Sequence, residues 1–305
     1  MRLKYTVHTK LYFLIGDPMD HACSPYVNNM MYEYANLDAV CIPAVVPKGK
    51  LEPFISAVRL MNLPGFYLTM PHKTDIIEYL DDAEEMSLLF NSVNHVRNDG
   101  GKLVGIGLDG VGQAANIERA AGGPGSLADK KALILGAGSV AGPIAGDLCK
   151  RGIKKFAIAN RTVEKARAVV AALKKYDSGV TAVCGPLHDG FLSEAARDAD
   201  VVAQCTSLGL AGGCEDYDSL DFMKKLPSHC IAADVLYPTS GFLETARTLG
   251  LRRVDGTGMS LMQQKEIMKF QFGIDLPDSF LFEGEEAFAT AVALRDLRLR
   301  RNAGA

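Results

Sequence analysis

Lys131-Ala-Leu-Ile-Leu135-Gly136-Ala137-Gly138-Ser139-Val140-Ala141, continued at Lys155-Phe-Ala-Ile-Ala159-Asn160-Arg161-Thr162, is the stretch that decides the fold. A short apolar run reads as a strand and leads into the pattern G-x-G-x-x-A. A helix-like segment, Ser139–Arg151, follows, and Lys155–Ala159 reads as the next strand. Strand, glycine turn, helix and strand at this spacing make a β-α-β unit, the context in which the glycine pattern signals a dinucleotide site. Gly136 permits the tight turn, Gly138 lets backbone approach a pyrophosphate, and Ala141 permits close helix–sheet packing. The helix start then turns N–H groups toward phosphates, with Ala137, Ser139 and Val140 in the same loop. Gly105-Ile-Gly107-Leu-Asp-Gly110 is a second glycine-rich stretch of similar form, and context favours the later one.

The end of the second strand bears on the cofactor. A site for NAD wants Asp or Glu there to accept from the ribose hydroxyls. This chain has Asn160-Arg161-Thr162, with Lys165 a turn further on. A guanidinium can fork onto a 2′-phosphate that a carboxylate would repel, so NADP(H) is expected. The plainer alternative is that Arg161 is a solvated surface residue. Thr162 is expected to cap the helix that follows.

Outward from this unit, Val180–Cys184, Val201–Gln204 and Ile231–Val235 read as further strands of the same block. An earlier block has strands at Leu11–Ile15, Val40–Val45 and Gly65–Thr69, and helices at Pro25–Ala35, Lys48–Met61 and Pro71–Leu80. Such alternation predicts α/β architecture with mainly parallel sheets. Two domains are expected, 1–110 and a Rossmann-type 111–258. The breaker-rich loop Ala120–Ser126 separates the blocks, and C-terminal helices in 259–305, including one over Pro277–Arg301, pack back on the first domain.

Composition narrows the class. The 305 residues are 48% hydrophobic and 23% charged, with a formal net charge of -3. That balance makes no electrostatic case for nucleic acid or an anionic membrane, and no apolar run is long enough to span a bilayer. The N-terminal Met1–Asp17 reads as a first strand and not as a signal peptide. Seven cysteines at 23, 41, 149, 184, 205, 214 and 230 show no C-x-x-C spacing. They imply neither a disulfide framework nor a structural zinc, but small buried residues in a reducing, cytoplasmic compartment.

A second group of residues is polar beyond what strands and turns require. Ser24 opens a helix, Thr69 and Lys73 stand at a strand's carboxyl end, and Asn94 and Asp109 add an amide and a carboxylate. Ligands of open α/β sheets sit beyond the carboxyl ends of strands. His21 and His72, bases by type, are expected to be structural or capping.

With these motifs in hand, the chain resembles the shikimate dehydrogenase family over nearly its whole length. Gly16…Pro18…His21-Ala22-Cys23-Ser24-Pro25 is similar to G-x-P-x-x-H-S-x-S-P, and Tyr67-Leu68-Thr69-Met70-Pro71-His72-Lys73 to N-V-T-x-P-x-K. Asn91-Ser92-Val93-Asn94 resembles G-A-V-N, Gly107-Leu108-Asp109-Gly110-Val111-Gly112 resembles N-T-D-G-x-G, and Asn160-Arg161-Thr162 is N-R-T unchanged. Asp234-Val-Leu-Tyr237 is similar to D-x-x-Y, and Gly256-Thr-Gly258-Met259 with Gln263 to G-x-G-M…Q. The resemblance implies an NADP(H)-dependent oxidoreductase, of the kind used in aromatic amino acid biosynthesis, with Lys73 and Asp109 as catalytic pair. Lys73 would donate to or polarise the carbonyl oxygen, and Asp109 would hold Lys73 and substrate hydroxyls. Asn94 would bind a ring hydroxyl. Ser24, Thr69 and Tyr237 would bind the carboxylate or adjacent groups, and Gln263 would close the site. Thr206 and Gly258 complete the cofactor set.

Departures fall where substrate is expected: Ala22 for Ser, Tyr67 for Asn, and Gly107-Leu108 for Asn-Thr. Quinate or another cyclic hydroxy acid is therefore open beside shikimate. A non-catalytic NADP(H) sensor would need neither Lys73 nor Asp109, and the small polar set argues against a folate-type dehydrogenase. Small molecules are the expected partners, with no nucleic acid, membrane or metal, in a monomer or homodimer.

Overall fold

The computed structural model describes residues 5–20, 22–210 and 215–303. Two compact units account for them: one holds the chain up to Leu108 together with everything from Gln263 on, the other Asp109–Met262.

The first unit runs β1 (Lys10–Gly16), α1 (Ser24–Tyr34), β2 (Ala39–Val45), α2 (Leu51–Leu60), β3 (Gly65–Leu68), a 3-10 turn (Asp75–Tyr79), β4 (Asp82–Ala83), α3 (Glu85–Leu89), β5 (His95–Asp99) and β6 (Lys102–Ile106). Its sheet has the order β2-β1-β3-β5-β6-β4. Only β5 runs antiparallel to its neighbours. Gly100 and Gly101 join β5 to β6 with φ of 63° and 102°, and the pair Asp99↔Lys102 closes the turn. Two left-handed residues are what a tight hairpin of this hand needs, and glycine takes that conformation without strain. The signal, Asn98-Asp99-Gly100-Gly101, stood in the sequence, yet the hairpin was not among the expected strands. Ile15, Phe66, Leu68, Val96 and Leu103 form one face of the core with Ile55 and Val58 of α2.

Pro71–Leu80 is not the helix its composition suggests, but a turn followed by the 3-10 segment. The Lys73 carbonyl accepts from the Val93 N–H at 2.8 Å, while the Ile77 N–H reaches only as far back as Thr74. Thr74, Ile76 and Ile77 are β-branched and lose rotamer freedom in a helix. Lys73 therefore sits in a turn tied to the segment before β5.

The second unit runs α4 (Asp109–Ala121), β7 (Lys131–Leu135), α5 (Ala141–Lys150), β8 (Lys155–Asn160), α6 (Val163–Tyr176), β9 (Thr181–Pro186), α7 (Asp189–Ala196), β10 (Val201–Gln204), a 3-10 turn (Asp221–Lys225), β11 (Ile231–Asp234), α8 (Gly241–Thr248) and β12 (Arg252–Val254). Helix α9 (Gly256–Phe272) starts here and ends in the first unit, which also holds α10 (Phe280–Ala303). All six strands are parallel, in the order β12-β11-β10-β7-β8-β9. The chain moves outward from β7 through β8 and β9, then returns to the other side of β7 at β10. That reversal opens a crevice at the strands' carboxyl ends.

Three boundaries differ from expectation. Asp109 and Gly110 belong to the second unit because α4 packs tightly on α5; a Cβ at Gly110 would collide with the Pro143 carbonyl oxygen. The loop Ala120–Ser126 lies inside that unit, and the later break follows Met262, not Gly258. The short edge strand β12, with Arg252 and Arg253 exposed, was not expected. Cys23, Cys41, Cys149, Cys205 and Cys230 are buried free thiols and Cys184 is half-buried, while Cys214 and His21 lie outside the described residues. No described helix is long and apolar enough to cross a membrane.

Candidate active site

The second sheet builds a phosphate cradle. Gly136 turns the chain after β7 with φ of 107°, a conformation open to glycine. Its N–H donates to the Ala159 carbonyl at 2.7 Å, tying the turn to β8. The Ala137 N–H donates to Asn160 Oδ1 at 3.1 Å, and Asn160 Nδ2 donates to the Thr162 carbonyl at 2.8 Å. Asn160 thus straps the glycine turn to the loop after β8. Beyond it, the N–H groups of Gly138, Ser139 and Val140 meet no acceptor among the described residues. Helix α5 starts at Ala141, later than expected at Ser139. A Cβ at Gly138 would touch nothing. Open N–H groups ahead of a helix suit a pyrophosphate.

Arg161, Thr162 and Lys165 are exposed. Thr162 takes the N-cap position of α6, but its side chain makes no capping bond. Its carbonyl is what the loop uses, accepting from Asn160 Nδ2 and from the Lys165 N–H at 3.1 Å. After β10 the chain winds around Gln204. That amide accepts from the Thr206 N–H at 2.5 Å and donates to the carbonyls of Thr206 and Leu208, both at 3.2 Å. The Thr206 methyl in turn rests against Gly136. Gln204 was missed, although a lone amide closing the apolar strand Val201-Val-Ala is a readable signal.

Tyr237 lies on the loop after β11 and Gly258 in the first turn of α9, both held from α4. Gln113 and Asn116 donate to the carbonyls of Asp234 at 2.9 Å and Asp255 at 3.0 Å. Buried Asp234 accepts from the Ser240 hydroxyl at 2.5 Å and the Leu236 N–H at 2.9 Å, so the Tyr237 loop wraps its carboxyl group. Burial pushes Asp234 up to about 6; those hydrogen bonds oppose the rise and nearby Asp255 adds to it. Asp255 accepts from the N–H groups of Thr257 and Gly258 at 3.1 and 3.3 Å, in the manner of a helix N-cap. A Cβ at Gly258 would collide with the Asn116 amide, so packing alone requires glycine there. Asp109 is buried and opens α4.

In the first unit a backbone network gathers Thr69, Lys73 and Asn94. The Thr69 N–H donates to Ile15 O at 2.9 Å, and Lys73 O accepts from Val93. Asn94 accepts from the Leu68 N–H at 2.8 Å and donates to Ile106 O at 3.1 Å. The Asn94 side chain is buried, and its Oδ1 lies 2.9 Å from the Leu108 nitrogen and 2.6 Å from His95 Nδ1. Thr69 and Lys73 are half-buried. Ser24 and Gln263 are half-buried on α1 and α9. Gln264, beside Gln263, donates to Asn28 Oδ1 of α1 at 3.0 Å and fastens the two helices. His72 is fully buried with Nε2 2.6 Å from the Val46 carbonyl.

Two departures from the family pattern have local causes. Tyr67 is a core residue: 1% exposed, stacked on Tyr12 with centroids 5.6 Å apart, and with its hydroxyl 2.5 Å from that of Tyr32. It offers no polar group to a ligand, contrary to the expectation that it bears on the substrate end. Gly107 donates its N–H to Ser87 Oγ at 2.7 Å, and a Cβ there would collide with the Ser92 carbonyl. On this backbone an Asn does not fit.

These features define an α/β protein of two units, one built for a dinucleotide's phosphates and one presenting a small polar cluster beyond strand ends. The family described as shikimate dehydrogenase substrate binding domain matches residues 14–96, and the one described as shikimate / quinate 5-dehydrogenase matches 118–209. A shikimate dehydrogenase (NADP(+)) of Alkaliphilus oremlandii is 31% identical over 278 residues, covering 90% of this chain and 96% of the relative. A crystal structure of a shikimate dehydrogenase in complex with NADP+ superposes with a TM-score of 0.81 at 26% identity, over 95% of this chain and 96% of the other. The Listeria monocytogenes shikimate 5-dehydrogenase, crystallised with shikimate and NAD, gives 0.80 at 28% identity, over 93% and 98%. The chain belongs to the shikimate dehydrogenase family.

Proposed function

We propose that this protein transfers a hydride between NADP(H) and a ring hydroxyl or keto group of shikimate/3-dehydroshikimate or a close cyclic hydroxy acid such as quinate. The observation that carries the reading is the gathering of Thr69, Lys73 and Asn94 beyond β3 in a member of this family. Bound NADP(H) supplies or accepts the hydride. The N–H groups of Gly138, Ser139 and Val140 hold the pyrophosphate, in a cradle shaped by Gly136, Ala137, Ala141, Asn160, Thr162, Thr206 and Gly258. Arg161, which makes no ion pair among the described residues, meets the 2′-phosphate with Lys165. Lys73 and Asp109 are the catalytic pair. The Lys73 ammonium moves the proton on or off the reacting oxygen, and Asp109 accepts from a ring hydroxyl. Asn94 binds a ring hydroxyl, while Ser24, Thr69, Tyr237 and Gln263 orient the rest of the acid. A sensor of NADP(H) would have no use for Lys73 and Asp109. On this reading the protein works on small molecules in the cytoplasm, as a monomer or homodimer.

The test follows reduced-nicotinamide absorbance with NADP+ or NAD+ crossed with shikimate or quinate. Turnover is expected with NADP+ and one of the two acids. Lys73→Ala is expected to lose about 10²–10⁴-fold in kcat while still binding NADPH. Full activity in that variant, or no turnover of either acid by protein that binds NADPH, would overturn the reading.

A further inference from the structure

The Asn94 amide can be oriented from its partners alone. The Leu108 backbone N–H can only donate, so the atom it meets at 2.9 Å is the amide oxygen. His95 Nδ1 lies 2.6 Å from that same oxygen, so Nδ1 carries the hydrogen. Neutral His95 is then the Nδ1–H tautomer. Two N–H donors fill the two lone pairs of Asn94 Oδ1, which leaves that side chain only N–H groups to offer anything else. The imidazole is itself held: His95 is 5% exposed and its ring packs on Tyr67 with centroids 5.2 Å apart. Tyr67 is clamped by Tyr12 and Tyr32.

We propose that His95 is a positioning residue for the substrate, locking the Asn94 amide so that it donates to a ring oxygen. The proposal rests on the reading above that Asn94 binds a ring hydroxyl. His95→Phe keeps a ring against Tyr67 and removes the donor. It is expected to raise KM for the better of shikimate and quinate roughly tenfold, the equivalent of one lost hydrogen bond. Its kcat and its Kd for NADPH should change little. His95→Asn can place an amide N–H where Nδ1 stands and is expected to restore most of the affinity. Unchanged KM in His95→Phe, or no recovery in His95→Asn, would overturn the proposal. Asn94→Ala separates the two readings: a raised KM there beside an unaffected His95→Phe sinks only the role of His95, whereas an unaffected Asn94→Ala removes Asn94 from the site altogether. Should His95→Phe fail to fold, imidazole ¹⁵N spectra of the native protein decide, because an Nε2–H tautomer at His95 contradicts the bond on which the proposal stands.

Discussion

On the function proposed above, Arg161 would carry the choice between the two nicotinamide cofactors at the scale of one side chain. It is exposed beside Asn160, whose amide is spent on strapping two loops together, so the proposed grip on a 2′-phosphate falls to the guanidinium, with Lys165 beside it. A charge-assisted hydrogen bond contributes about 1.5–3 kcal/mol, or roughly 10- to 100-fold in binding. Arg161→Ala is expected to raise KM for NADP+ by that factor and to leave KM for NAD+ nearly unchanged. Equal losses for both would assign Arg161 to loop structure instead. The identity of this residue was legible from strand-end position alone. Asn160's strapping role was not, because its partners Ala137 and Thr162 reach it only once the glycine turn has closed.

The aromatic face of the first sheet sets the next prediction, since it is made by four elements together. Tyr12 of β1, Tyr32 of α1, Tyr67 of β3 and Phe272 of α9 pack edge to face, stacked or tilted, with centroids 5.4 to 5.9 Å apart. Burial pushes the hydroxyls of Tyr32 and Tyr67 well above the usual tyrosine range, so both stay protonated and satisfy each other. Removing one hydroxyl strands the other without water, at a cost of about 1–3 kcal/mol. Tyr32→Phe and Tyr67→Phe are each expected to lower stability by that much. The double variant should lie nearer the parent than the sum of the two, which denaturant unfolding in a double-mutant cycle measures. Strict additivity would refute the coupling. Strand β3 could be read from its apolar run. That Tyr67 turns into this cluster could not, because its partners lie in α1, β1 and α9, far away along the chain.

Asp234 makes the stability of the whole molecule depend on pH. Its carboxyl group is fully buried in the second unit and pushed from an ordinary 3.8 up to about 6, chiefly by loss of solvent. A folded-state value above the unfolded one means that the native protein binds the extra proton between pH 4 and 6. The contribution is full below the unfolded value and is lost as pH rises through about 6. The loss is on the order of 3 kcal/mol across that window. Wild type is therefore expected to lose melting temperature from pH 4.5 to 6.5 relative to Asp234→Asn, and the two curves should run parallel above it; curves parallel throughout would refute the assignment. At this scale the second sheet was largely legible. Its strands, apart from β12, are apolar runs separated by helical ones, and the glycine turn marks the first. The first unit was less so, because β5 and β6 are short and partly polar and β4 has two residues.

By itself the sequence determined what local chemistry controls: the β-α-β unit around Gly136, the α/β alternation and Arg161 at a strand end. Periodicity, turn residues and side-chain charge act over a few neighbours and can be read from them. Only the tertiary structure decided the turn that replaces a helix at Lys73, the inward rotation of Tyr67, the requirement for glycine at 107 and the orientation of the Asn94 amide. Each depends on a partner distant along the chain, Val93, Tyr32, Ser92 and Leu108 respectively, whose hydrogen bond or steric volume outweighs local propensity.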